Sequence, residues 1–150
     1  MSLTVESVTT QEEACRLRSF DSDVAWEIGH IIRANVQKKF TRPVVIYIAH
    51  ANSSQLLFFA TSGPGTLPDN MHWGCSTMRM RLSLQTKTKT LQEVYEMSDP
   101  SIYAVHGGGF PVKVEGVEGV VGVIVVSGLA QEDDHSVIVD GIQEYLAKNL

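Results

Sequence analysis

The most chemically suggestive run in the sequence is His106-Gly107-Gly108-Gly109. Glycine has no Cβ, so three in succession let the backbone come close to a ligand or take positive φ angles. A ligand-binding loop and a tight turn that aims the chain into a strand both fit. The run matches neither the P-loop pattern nor a GxGxxG that opens a helix, because a strand-like segment follows it, and a phosphate cradle is not expected. A His-Gly-Gly-Gly run also serves oxyanion holes. That chemistry needs a GxSxG nucleophile elbow, and no serine here has glycine two residues away on both sides.

A second cluster is Gln131-Glu132-Asp133-Asp134-His135. Glu132 and His135 stand three apart, which on a helix puts two ligands on one face. With His106 as a third group they would form a metal site. Acidic residues in a first turn are equally what the positive end of a helix dipole favours, so capping explains the same cluster. Asp69-Asn70, between Pro68 and Trp73, is a third place of interest. Helix N-terminal N–H groups there would receive an anion, or Asp69 would cap a helix with a core tryptophan. Arg79, Arg81, Lys87 and Lys89 are read as a solvated face or a counterpart to acidic surface on another subunit. His30, His50 and His72 lack a companion at metal-ligand spacing, and Cys75 lacks an activating neighbour. Cys15 and Cys75 have no CxxC spacing and are expected to be reduced thiols.

The elements that must position these groups are legible as periodicities. Asp21 caps a predicted helix whose apolar positions Val24, Ala25, Ile28, Ile31, Ile32 and Val36 recur every three or four residues up to Lys39. Val44–Ala49 and Leu56–Ala60 read as a β-hairpin with both strands buried on both faces. Helices are expected from Asp69, through Trp73, Met78, Met80, Leu82 and Leu84, and again through Leu91, Val94 and Tyr95, stopping before Asp99-Pro100. Phe110–Val114 and Val120–Val126 read as a second hairpin, and a last helix starts near Ala130 with Val137, Ile138, Gly141, Ile142, Tyr145 and Leu146 on its apolar stripe. Paired hairpins divided by helices imply a single α+β domain over residues 1–150, with an antiparallel sheet packed by helices.

The chain has 150 residues, of which 43% are hydrophobic and 19% charged, against roughly 25% charged in an ordinary soluble domain. Its net charge of −5 speaks against a nucleic-acid partner, which needs a basic footprint. Residues 1–89 hold ten basic and seven acidic side chains, and residues 90–150 hold two and ten. No Lys, Arg, Asp or Glu falls between Pro43 and Pro68. Its apolar runs are strand-sized, well short of the roughly 20 residues of a membrane span. Met1–Glu6 lacks a basic segment leading into an apolar one, so a cytoplasmic location is expected.

Taken together, Phe20-Asp21-Ser22-Asp23-Val24-Ala25-Trp26, Gly65-Thr66-Leu67-Pro68-Asp69-Asn70 with Trp73, Asp99-Pro100 with Tyr103-Ala104, His106–Pro111, and Val121-Gly122 through Ser127-Gly128-Leu129 to Gln131–His135 resemble the haem-degrading domain family, in its small cytosolic GlcG-like subfamily. The resemblance covers about residues 10–147. It implies a profilin-like α-β-α layered domain, a homodimer or higher homo-oligomer, and haem or another cofactor as ligand, with His106 and His135 as the residues for the iron. Two positions depart from the family's pattern: Gly74-Cys75-Ser76-Thr77-Met78 replaces an Arg-Lys-rich segment, and Ala130 replaces a proline.

Three functional readings follow. The first is an oligomeric small-ligand-binding domain whose pocket gathers His106, Gly107, Gly108, Gly109, Asp69, Asn70, Trp73, Glu132 and His135. The second is a non-catalytic homo-oligomeric adaptor that binds another protein. The third is a metal-dependent enzyme using His106, Glu132 and His135.

Overall fold

A computed structural model describes residues 4–67 and 108–150. The helices expected from Asp69 and through Leu91 lie outside these residues. The described elements are α1 (Val5–Ala14), α2 (Ser22–Lys39), β1 (Val45–His50), β2 (Leu56–Thr61), β3 (Gly109–Val112), β4 (Gly122–Ser127) and α3 (Gln131–Lys148). Three helices and a four-stranded antiparallel sheet make the expected α+β fold.

The strand order is β2-β1-β4-β3. Both predicted hairpins form, with Ile46 opposite Ala60 and Phe110 opposite Ile124. They join through antiparallel pairing of β1 with β4, from Val45 opposite Ser127 to His50 opposite Gly122. Side chains alternate across a strand, so Ile46 and Ile48 of β1 meet Ile124 and Val126 of β4 on one face. There they pack with Phe110 and Val112 of β3, with Ile28, Ile32 and Val36 of α2, and with Val137, Ile138 and Ile142 of α3. On the opposite face Tyr47, Ala49, Val123 and Val125 form a second buried cluster.

β2 departs from the expected two-sided burial. It stands at the edge of the described sheet, and Leu56 and Phe59 are exposed. α1 is not signalled by periodicity. Thr4 and Ser7 form a capping box at its start, but its buried positions are Val8, Glu12 and Cys15, too sparse and too polar for an apolar stripe. What fixes α1 is its far end. The Leu17 N–H donates to the Lys113 carbonyl at 2.9 Å, and the Glu115 N–H donates to the Leu17 carbonyl at 2.8 Å. The Lys113 ammonium lies 3.8 Å from the buried Glu12 carboxylate and 3.6 Å from that of Glu13.

Asp21 caps α2 as expected, its carboxylate accepting the Val24 N–H at 2.9 Å. α2 and α3 touch at Gly141, where a Cβ would sit 2.5 Å from Ile32 Cγ1. The distance between packed helices follows from the side chains between them, and here the missing side chain of Gly141 leaves the room that Ile32 occupies. Gly141→Val should therefore cost about 1–3 kcal/mol through overpacking, read as a lower urea midpoint with an unchanged slope.

Candidate functional site

Of the sequence-predicted residues, Gly108, Gly109, Glu132 and His135 are described, and all but Glu132 come together near the start of α3. β4 ends at Ser127, and Gly128, Leu129 and the N-cap Ala130 turn the chain into the helix. Ala130 has no side chain to cap the helix, and none does so from that position. Asp134, one turn in, reaches back instead: its Oδ1 accepts the Leu129 N–H at 3.0 Å, and the carboxylate also takes the Gly128 N–H.

The glycine run arrives at the same turn. The Gly108 carbonyl accepts the Val126 N–H at 2.8 Å, and a Cβ on Gly108 would collide with the Val126 carbonyl oxygen and lie 3.6 Å from Asp134 Cβ. Only glycine fits there. Gly109 then opens β3, and Phe110 follows into the core. The Phe110 ring lies 6.0 Å from the ring of His135. His135 is buried, and its Nε2 is 2.7 Å from Gln11 Oε1 on α1. Gly108, Gly109 and His135 thus belong to one neighbourhood. Glu132 does not join them, because it is exposed at the helix start while His135 points inward. His106, Gly107, Asp69, Asn70 and Trp73 lie outside the described residues.

Asp134 is the group that sequence reasoning misses, because spacing alone merges it with the acidic first turn. Burial pushes its carboxyl up to about 7, opposed by the N–H groups of Leu129 and Gly128 and by Arg42, and reinforced by Asp133. Desolvation outweighs the donors because a buried carboxylate loses more hydration than two hydrogen bonds restore. Its signal in the sequence is the spacing from Leu129, at which a carboxylate can turn back upon a glycine-containing turn.

Among the described residues no three His, Cys, Asp or Glu side chains gather to hold a metal ion. The described partners of the proposed triad, Glu132 and His135, face different surroundings. A shallow cleft of about 440 Å³ opens at the far end of α2, lined by residues including Phe40, Pro43, Ser62 and Pro64. Two of its polar side chains are engaged: Gln37 Nε2 donates to the Ser62 carbonyl at 2.9 Å, and Ser62 Oγ accepts the Val44 N–H at 2.8 Å. Among the described residues no helix is long and apolar enough to cross a membrane.

An antiparallel sheet backed by α2 and α3, with Gly108 and Gly109 entering β3 beside the start of the last helix, defines the class of α+β domain to which the chain belongs. The family described as haem degrading protein HbpS-like matches residues 20–143, and the chain belongs to that family. A UPF0303 protein of Zymomonas mobilis is 37% identical over 154 residues, covering 95% of this chain and 79% of that protein. The crystal structure of Ybr137w protein superposes with a TM-score of 0.85 at 27% identity, over 93% of this chain and 86% of its own. PduOC, solved as a heme complex, shares the fold at 15% identity and a TM-score of 0.63, over 83% of this chain and 94% of its own.

Asp134 makes a testable demand on stability. An acid whose folded pKa lies above its unfolded value binds its proton more tightly when folded, so its contribution is fully present below about pH 4 and lost as pH rises to about 7. Asp134→Asn keeps an oxygen for the Leu129 N–H and removes the charge. Its stability relative to wild type should rise across that window by on the order of a few kcal/mol and stay level above it, measured by urea denaturation at stepped pH.

Proposed function

We propose that the chain is a self-associating domain that binds a small ligand, haem or a related cofactor, where the His106–Gly109 run meets the start of α3. The observation that carries this reading is the seat of Gly108. Its backbone is pressed on the Val126 carbonyl and beside Asp134, and it stands two residues after His106 in the sequence. Family membership supplies the ligand class. The same fold was solved with heme in PduOC.

The two histidines take different parts. His135 is buried with its Nε2 engaged by Gln11, which suits a supporting role and leaves it a poor axial ligand. His106 is the imidazole assigned to the ligand, as haem iron takes His, Cys, Met or Tyr. Asp69, Asn70, Trp73 and Gly107 complete the proposed pocket, while the exposed Glu132 is assigned to its rim. When bound, haem would supply the redox-active iron; the chain's part is to hold and orient it.

Titration with haemin checks this directly. A saturable Soret shift is expected, weakened roughly tenfold or more in His106→Ala and preserved in His135→Asn. Absence of a Soret shift, or one indifferent to His106→Ala, would overturn the haem assignment, and self-association without ligand would then favour the adaptor reading.

A further inference from the structure

Helix α1 is held to the domain in a different way from α2 and α3. Those two line the main apolar cluster, whereas the buried side chains of α1, Val8 and Glu12, enter neither cluster among the described residues. Its recorded ties are polar. His135 Nε2 on α3 lies 2.7 Å from Gln11 Oε1, and Gln143 Nε2, also on α3, donates to the Ala14 carbonyl at 3.2 Å. The Lys113 ammonium, on the residue that follows β3, lies 3.8 Å from the Glu12 carboxylate and 3.6 Å from that of Glu13. Consecutive residues of α1, Gln11 and Glu12, therefore bridge the two elements on either side of Gly108.

Ties of this kind are made at the expense of hydrogen bonds to water, so each adds little net stability. The ion pair adds a cost of its own. Glu12 is 3% exposed and the Lys113 side chain 12%, and burying two charges forfeits hydration that their attraction restores only at close, hydrogen-bonded range. At 3.8 Å the two groups are beyond hydrogen-bond distance. Lifting α1 returns water to both charges and withdraws one core residue, its C-cap Cys15. Leu17 marks where such an opening stops. It is 1% exposed in the main cluster, its N–H donates to the Lys113 carbonyl, and its carbonyl accepts the Glu115 N–H.

We propose that α1 is a releasable clasp on the candidate site, swinging away as a unit about Leu17 and parting Gln11 from His135 while the sheet, α2 and α3 stay folded. Segments with few buried apolar contacts are the ones that open cooperatively below the global unfolding free energy. Closed, the clasp fixes β3 and α3 relative to each other where Gly108 is seated. Open, it takes the Gln11 amide from the His135 imidazole and brings the Cys15 thiol to solvent. The proposal rests on the proposed function for the site it regulates, but the motion itself belongs to the ligand-free chain. Its failure is therefore read separately from a failed haemin titration.

Thiol labelling of the full, ligand-free chain with dithionitrobenzoate tests it, in a Cys75→Ser background that leaves Cys15 as the one cysteine. Cys15 should react below the unfolding transition, at a rate whose urea dependence is at most about half that of global unfolding, since the slope follows the surface exposed. Lys113→Met, which takes the ammonium from the buried Glu12, should raise that rate at least about tenfold. Gln11→Ala should raise it less, and Glu12→Leu combined with Lys113→Met should return it to the wild-type range or below. Hydrogen exchange of the unmutated chain guards against variants that do not fold: amides of residues 8–15 should exchange ahead of those of β1 and β4, with the same shallow urea dependence. Labelling that carries the full slope of global unfolding would overturn the clasp. So would α1 amides that exchange no sooner than the central strands, or a folded Lys113→Met variant that labels at the wild-type rate.

Discussion

Burial of β1 and β4 on both faces is the constraint from which the rest of the structure follows. They form the centre of the described sheet, and their side chains enter two separate apolar clusters. A charged residue on either face would lose hydration without a partner, which accounts for the absence of Lys, Arg, Asp and Glu from β1 and β4. The low charge of the chain is concentrated there. With the central pair committed, hydrogen bonds extend outward to β2 and β3, and α2 and α3 cover one face side by side across Gly141.

The same pairing sets the candidate site. β4 delivers the chain to the Gly128–Ala130 turn at the level where β3 begins, so a backbone carbonyl, a glycine and a buried carboxyl meet within one or two residues of each other. Asp134 holds the turn from inside the helix because Ala130 cannot do so from the cap. The resulting first turn of α3 is acidic for two reasons at once: Glu132 and Asp133 face outward, where the dipole favours them, whereas Asp134 is drawn into the protein by the Leu129 and Gly128 N–H groups.

Elements with strong apolar periodicity are legible in the amino-acid sequence itself. The α2 stripe and its Asp21 cap, the two hairpins and the α3 stripe all follow from residue spacing. α1 is not legible, since Val8, Glu12 and Cys15 make a narrow buried stripe with a charge in it, and its docking depends on residues a hundred positions away. The edge position of β2 is hidden for a related reason: Leu-Leu-Phe-Phe-Ala reads as two-sided burial when neighbours are unknown. At the site, spacing singles out Gly108, Glu132 and His135 as candidates but leaves Asp134 in the acidic first turn beside Glu132. Burial distinguishes them, and burial is a property of the assembled fold.

The fastening of α1 also bears on the order of events during synthesis. Leu17 forms a parallel bridge with Val114, Gln11 meets His135, and Gln143 Nε2 donates to the Ala14 carbonyl at 3.2 Å. Every one of these partners leaves the ribosome long after α1 does. An isolated helix of ten residues is marginal in water, so α1 must wait, unanchored, until β3 and α3 have been made. Helix α1 thereby acts as a completion seal, docking only once β3 and α3 are in place.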